Sequence, residues 1–445
     1  MSEETVSTER SPGLDYGELF SEADGRFRVS RRAYTDPSVF DREMKQIFER
    51  TWVYVAHESE IEEPGAYKTS YIGVQPVIVS RGRDRSVNVM FNRCRHRGAS
   101  VCREKQGTAN FFRCPYHGWV YSSDGTLVGV AQRDRAYAPD WEQPDGLVHV
   151  AQVDSYRGLI FACMDPDASS LADCLGSKVR KWIDRKFGLS SEGRIRLVSA
   201  PIVVRCKANW KFPIENILDG YHYNAVHTPF MKVQEKYGNR TGDYGAHVEG
   251  KLAQQAESVA SSTRPLVTPN GHLVTSRQRP DETLDVLFDG ELGAYYKSLV
   301  DIHGRDELAY IVNGGIAQLY PNLGMIHHQL RVVRPIAANL TEISIYPYDL
   351  VGAPAEYNTG WLHSQERFYG PTGYGMPDDY EMFELNQQGL QASEVEWLIL
   401  ERGMRTDLVF EDGALQGTGR GPETNLRGQL MRWRELMTGQ GGIGR

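Results

Sequence analysis

Cys94-Arg95-His96 and, after 17 intervening residues, Cys114-Pro115-Tyr116-His117 are the stretches that decide how the first half of this chain folds. Short runs rich in β-branched residues lie nearby (Val74 to Val79, Val87 to Phe91), and Ser122-Ser123-Asp124-Gly125 has the composition of a hairpin turn. Ala66 to Val130 is therefore expected to be a small all-β unit in which two neighbouring loops converge. Two thiolates and two imidazoles then face one site, which suits a structural zinc or a two-iron two-sulfur cluster. Zinc fingers pair Cys with Cys and His with His. Here each loop carries one of each, as a cluster needs when each iron takes one ligand from each loop. Cys102 is left over and reads as a small buried hydrophobe.

Outward from this unit, Phe40, Met44, Ile47 and Phe48 recur at helical spacing, so Pro37 to Trp52 is expected to be one amphipathic helix. Strands are expected at Leu159 to Ala162 and Val198 to Arg205, with a helix around Cys174 to Phe187 between them. The divisions that follow are an N-terminal arm and helix over 1–50, the β unit over 51–170 and a larger domain over 171–445. Residues 231 to 305 are rich in Gln, Ser, Thr, Asp and Gly with weak periodicity, and read as a long irregular excursion. Apolar strands return at Ile316 to Tyr320, Gly324 to Val333 and Glu342 to Tyr346. Helices are expected at Asp379 to Gln391, Ser393 to Arg402 and Asn425 to Met437. The fold class is α+β, with helices packed on an antiparallel sheet in the second half.

A second constellation lies in that half. Residues 209 to 229 suggest a helix that starts after Pro213 and ends at Pro229, carrying His222 and His227. Five residues on a straight α-helix separate two side chains by roughly 140°, so a shared metal requires a π-type bulge or a break between them. A chain that holds an electron carrier needs an acceptor, and non-haem iron that activates dioxygen takes two His and one carboxylate on one face. Asp378 and Glu381 form a capping-box pattern, which leaves Asp379 free to supply the carboxylate. Asp219, three residues before His222, shares its helical face and can hold the imidazole nitrogen that does not ligate.

The chain has 445 residues, 40% of them hydrophobic and 24% charged, enough for two or three packed units and unlike a disordered, collagenous or coiled-coil protein. A net charge of −8 argues against nucleic acid or an anionic membrane as partner. Six cysteines are too sparse for a disulfide framework, and the polar start lacks an apolar leader, so a cytoplasmic location is expected.

Together these residues resemble the large (alpha) subunit of the Rieske non-haem iron ring-hydroxylating oxygenases, from about residue 20 to the C-terminus. Gly118-Trp119 after His117 fits the Rieske motif. Glu215-Asn216-x-x-Asp219-x-Tyr221-His222-x4-His227 is similar to the family's iron motif, in the form used by the benzoate, salicylate and terephthalate group. Phe27 to Gly73 and Glu423-Thr424-x-x-Arg427-Gly428 also resemble that group. The resemblance implies a [2Fe-2S] Rieske domain on Cys94, His96, Cys114 and His117, inserted in a helix-grip catalytic domain. It implies a mononuclear Fe(II) on His222, His227 and Asp379, with Asn216 and Asp219 as catalytic residues. Asp219 would link His222 to His117 of a neighbouring subunit in a trimeric ring (α3, or α3β3 with a small beta subunit).

The implied reaction is cis-dihydroxylation of an aromatic acid with O2 and electrons from NADH, delivered by a separate reductase with or without a ferredoxin. The chain has no nucleotide or flavin fingerprint of its own. Monohydroxylation, attack on a neutral arene, a pure electron-transfer protein and a zinc-stabilised binding protein are the alternatives. A carboxylate substrate calls for an arginine fork, and Arg331 and Arg420 are the candidates, at positions that resemble arginines of terephthalate-type members. His327 and His328 either line the pocket or serve packing.

Overall fold

The computed structural model describes residues 15–22, 25–217, 219–237, 263–276, 281–312, 315–419 and 421–439. Two small antiparallel sheets carry the first constellation. One pairs Ala66–Ile72, Gln75–Arg81, Val87–Phe91 and Gln106–Thr108, and the other pairs Phe111–Arg113, Val120–Ser122 and Leu127–Gly129. A third sheet, Val53–His57 with Leu159–Cys163 and Gln152–Tyr156, joins this unit to the rest. The Asn322 side chain clamps that joint. Its Oδ1 accepts from Tyr54 N (3.0 Å) and its Nδ2 donates to Tyr54 O (2.9 Å).

The second half is built on a ten-stranded antiparallel sheet that includes Arg264–Val267, Leu273–Ser276, Ile316–Leu319, Leu323–Ile326, Gln329–Ala337 and Leu340–Leu350. Alternation along its strands feeds two cores. Val333, Ile343 and Ile345 pack with Trp210, Ile217, Phe383 and Trp433 on one side. Leu330, Tyr346 and Tyr348 pack with Val179, Trp182 and Leu299 on the other. Small all-β unit and helix-covered sheet together are the expected α+β architecture.

Several sequence expectations change. The helix expected at Ser393 to Arg402 is a turn followed by the strand Trp397–Ile399, which pairs with Arg28–Ser30. A partner strand far away in sequence, with Val29 opposite Leu398, overrides local propensity there. The helix carrying Asp379 begins at Met376 with Pro377 in its first turn, so Asp378 is inside the helix and does not cap it. Pro37 to Trp52 is an α-helix, Pro37–Glu43, that runs into a π-helical turn, Met44–Phe48. Within 231–305, the described residues form helices and two strands of the large sheet instead of an irregular excursion. Residues 238–262 lie outside the described residues.

Candidate metal centres

The two loops of the first constellation share one backbone design. Cys94 N donates to Ala99 O and Gly98 N to Cys94 O; Cys114 N donates to Trp119 O and Gly118 N to Cys114 O, all at 2.8–3.1 Å. Gly98 and Gly118 sit at φ +78° and +71°, a left-handed turn that glycine adopts without strain. The loops thereby bury Cys94 and Cys114 and leave both imidazoles above them, their Nδ1 atoms 3.1 Å apart. Trp119 stacks on His96 with centroids 5.1 Å apart, and Tyr121 Oη lies 3.2 Å from Cys94 Sγ while accepting from Arg95 N. Sulfur within and imidazole nitrogen without is the donor arrangement of a cluster whose two irons take two Cys and two His. Cys102 stands apart, buried, its sulfur against Glu104 O.

In the second constellation, no single helix runs from Pro213 to Pro229. A helix over Lys211–Asn216 stops, Tyr223–Val226 forms one further turn, and Thr228–Tyr237 begins anew with Pro229 as its second residue. His227 lies at the second break, with φ −96° and ψ 16°. This is the interruption that the five-residue spacing requires. It brings His222 Nε2 and His227 Nε2 to 3.5 and 3.4 Å from the same oxygen, Asp379 Oδ1.

The three donor atoms lie within 4.8 Å of one another, and the two His–Asp separations are longer than good hydrogen bonds. Burial and then His222 hold His227 down at about 4, so its imidazole is neutral and its lone pair free. Burial pushes Asp379 up to about 6 against the pull of His222 and Arg331. Burial lowers His222, but Asp219 and Asp379 more than offset it and hold it above its ordinary value, so this imidazole would give up its proton as a cation binds. Two imidazole nitrogens and a buried carboxylate aimed at one point fit a divalent iron.

Asn216 Nδ2 lies 3.2 Å from Asp379 Oδ1 and 3.3 Å from His222 Nε2 and so ties two of the three donors together. On the far side of His222, Nδ1 is 3.4 Å from Asp219 Oδ2, whose other oxygen accepts from Tyr221 N at 2.7 Å. Burial raises the Asp219 carboxyl, but His222 and the backbone amides more than offset it and leave it below the usual range. Asp219 therefore orients the imidazole as an anion. Asp219→Asn is expected to keep iron and cluster content while slowing turnover by ~10–100-fold. Metal analysis beside steady-state rates checks this, and a loss of iron in step with activity would make Asp219 a ligand-site stabiliser only.

Arg331 is 1% exposed on the strand Gln329–Ala337. Its guanidinium lies 5.4 Å over the Tyr369 ring, and its Nε has no hydrogen-bond partner. Arg420 lies outside the described residues. His328 is a packing residue, stacked between Tyr348 and Trp361, and His327 turns the hairpin at φ +49° with its ring on Trp361. Sequence reasoning missed Phe368, whose ring meets His227 edge-on at 5.0 Å, and the buried amides of Gln329 and Gln365. None of them belongs to a spaced motif.

Comparison with known proteins agrees with this geometry. Residues 51–154 match the Rieske [2Fe-2S] domain, and residues 194–417 match the ring hydroxylating alpha subunit (catalytic domain). The chain is 33% identical to the 2-halobenzoate 1,2-dioxygenase large subunit of Burkholderia cepacia, over 85% of this chain and 80% of that protein. It is 30% identical to the anthranilate 1,2-dioxygenase large subunit of Acinetobacter baylyi, over 86% and 82%. Naphthalene 1,2-dioxygenase with indole bound superposes with a TM-score of 0.80 at 26% identity, covering 96% of this chain and 95% of that one.

Proposed function

Because the chain belongs to the large (alpha) subunits of the Rieske ring-hydroxylating dioxygenases, we propose that it is the terminal oxygenase acting on an aromatic carboxylate. Arene, O2, NADH and a proton would give the cis-dihydrodiol and NAD+. When bound, the cluster supplies electrons singly and the mononuclear iron supplies open positions for dioxygen beside the substrate. Cys94, His96, Cys114 and His117 would hold the first group, and His222, His227 and Asp379 the second. Asn216 and Asp219 keep the ligating side chains in register. Hydride oxidation falls to a separate reductase, with or without a ferredoxin; the names of relatives as large subunits support a small beta subunit, and the ring of α3 or α3β3 type follows from the family resemblance. Among the described residues no helix is long and apolar enough to cross a membrane, which is compatible with a cytoplasmic enzyme.

The carboxylate preference rests on Arg331. A fully buried guanidinium is costly unless it is paired, and this one lies close enough to the ligand cluster to oppose the rise that burial imposes on Asp379. A substrate carboxylate, gripped in the plane of the guanidinium, supplies the missing partner and fixes the ring beside the iron ligands. Arg331→Met is expected to lower kcat/KM for benzoate-type acids by ~10–100-fold, the worth of a charge-assisted hydrogen bond, while a neutral arene of the same size is unaffected. Equal losses for acid and neutral substrates, at unchanged iron content, would overturn the assignment.

A further inference from the structure

Gln329 and Arg331 alternate on one face of their strand, ~6.6 Å apart along it. Gln329 is completely buried, and neither its Nε2 nor its Oε1 has a hydrogen-bond partner. Helix Ala355–Tyr369 crosses the tip of this strand with Trp361, Gln365 and Tyr369 in one row, four residues apart. Trp361 stacks on His327 and His328, and the Tyr369 ring lies 5.4 Å from the Arg331 guanidinium and 6.3 Å from the His327 ring. Both ends of the row thereby touch residues 327–331, and Gln365 lies one helical turn from each of them. Gln365 is 5% exposed, and its Oε1 is likewise without a partner.

Buried amides are ordinarily satisfied. Gln387 in the same molecule is: its Oε1 accepts from Asn209 N and its Nε2 donates to Tyr34 O. Two unsatisfied amides beside the proposed carboxylate fork are therefore suited to a ligand. An amide is uncharged and both donates and accepts, so its best match is a substituent that does the same, a hydroxyl or an amino group. A methyl group or a halogen in that place leaves the amides unpaired, which costs affinity.

We propose that Gln329 and Gln365 are specificity residues that select an aromatic acid bearing a neutral hydroxyl or amino substituent. This rests on the assignment of Arg331 as the carboxylate anchor. The experiment uses the holoenzyme, with the isomers of hydroxybenzoate and aminobenzoate against benzoate and the matching methylbenzoates, read as kcat/KM and as Kd by calorimetry. Wild type should favour at least one hydroxy or amino acid over its methyl isostere by ~30-fold or more. In Gln329→Met and Gln365→Met that ratio should fall towards one, with benzoate binding within about threefold of wild type and the melting temperature equal or higher, because an unpaired buried amide has been removed.

Ratios unchanged in both variants, a wild type that does not discriminate, or a melting temperature lowered by several degrees would each overturn the proposal. If one variant does not fold, the other reports on the same pocket. The two assignments fail separately. Benzoate binding that survives Arg331→Met rejects the anchor, whereas benzoate binding that needs Arg331 with ratios indifferent to both glutamines rejects only the selection.

Discussion

His222→Ala should lower the iron content from about three to about two per chain, leave about two acid-labile sulfides and preserve the visible spectrum of the cluster. Product formation should be lost. Among the described residues three donor atoms meet here, from His222, His227 and Asp379, and with the His222 ring gone two remain, too few to retain a labile divalent iron. Cys94, His96, Cys114 and His117 lie on loops of a separate small sheet unit and share no side chain with this centre, so their cluster should be untouched. His96→Ala should show the converse, loss of the cluster spectrum with mononuclear iron retained. Two irons in wild type and in His222→Ala alike would refute the mononuclear site and leave an electron-transfer protein.

The largest loss of stability is expected at a place remote from both metals. Glu43 is completely buried and accepts from Trp210 Nε1 at 2.8 Å, from Trp433 Nε1 at 2.6 Å and from Lys211 Nζ. The Lys211 ammonium is ringed by Tyr34, Trp210 and Trp433, with centroids 4.9–5.7 Å away. One carboxylate thus joins the N-terminal helix, the C-terminal helix and the helix Lys211–Asn216 that ends at Asn216. Glu43→Ala strands a buried cation and two indole N–H groups, a loss of ~3–5 kcal/mol. Glu43→Ala with Lys211→Met should recover much of that, since the pair is then removed together. A double variant no more stable than the single one would contradict this account.

The pH dependence of Glu43→Ala has a definite sign. Burial lowers the Lys211 pKa and Glu43 opposes the fall, so without Glu43 the folded value drops further below the unfolded ~10.4. Between those two values the unfolded chain binds the extra proton, and stability therefore rises with pH. The deficit relative to wild type should be greatest near neutrality and shrink towards pH 10, as denaturant titrations at several pH values would register. Loosening this junction should also reduce mononuclear iron occupancy, because Asn216 is the end of the helix it secures.

The amino-acid sequence by itself determined the candidate donors Cys94, His96, Cys114, His117, His222 and His227, because metal chemistry restricts ligands to a few residue types and close spacings leave their mark on a linear chain. It also determined the small β unit, through alternation and turn residues, and the need for a break between His222 and His227, through the pitch of a helix. Tertiary structure alone decided where that break falls, at His227, and that Asp379, 152 residues later, meets both imidazoles. Trp397–Ile399 became a strand because Arg28–Ser30 offered it a ladder, which no local window contains. The same holds for the Glu43 junction and for the unpaired polar groups of Gln329, Arg331 and Gln365. A side chain's type is written in the sequence, but whether it finds a partner depends on what long-range packing sets beside it.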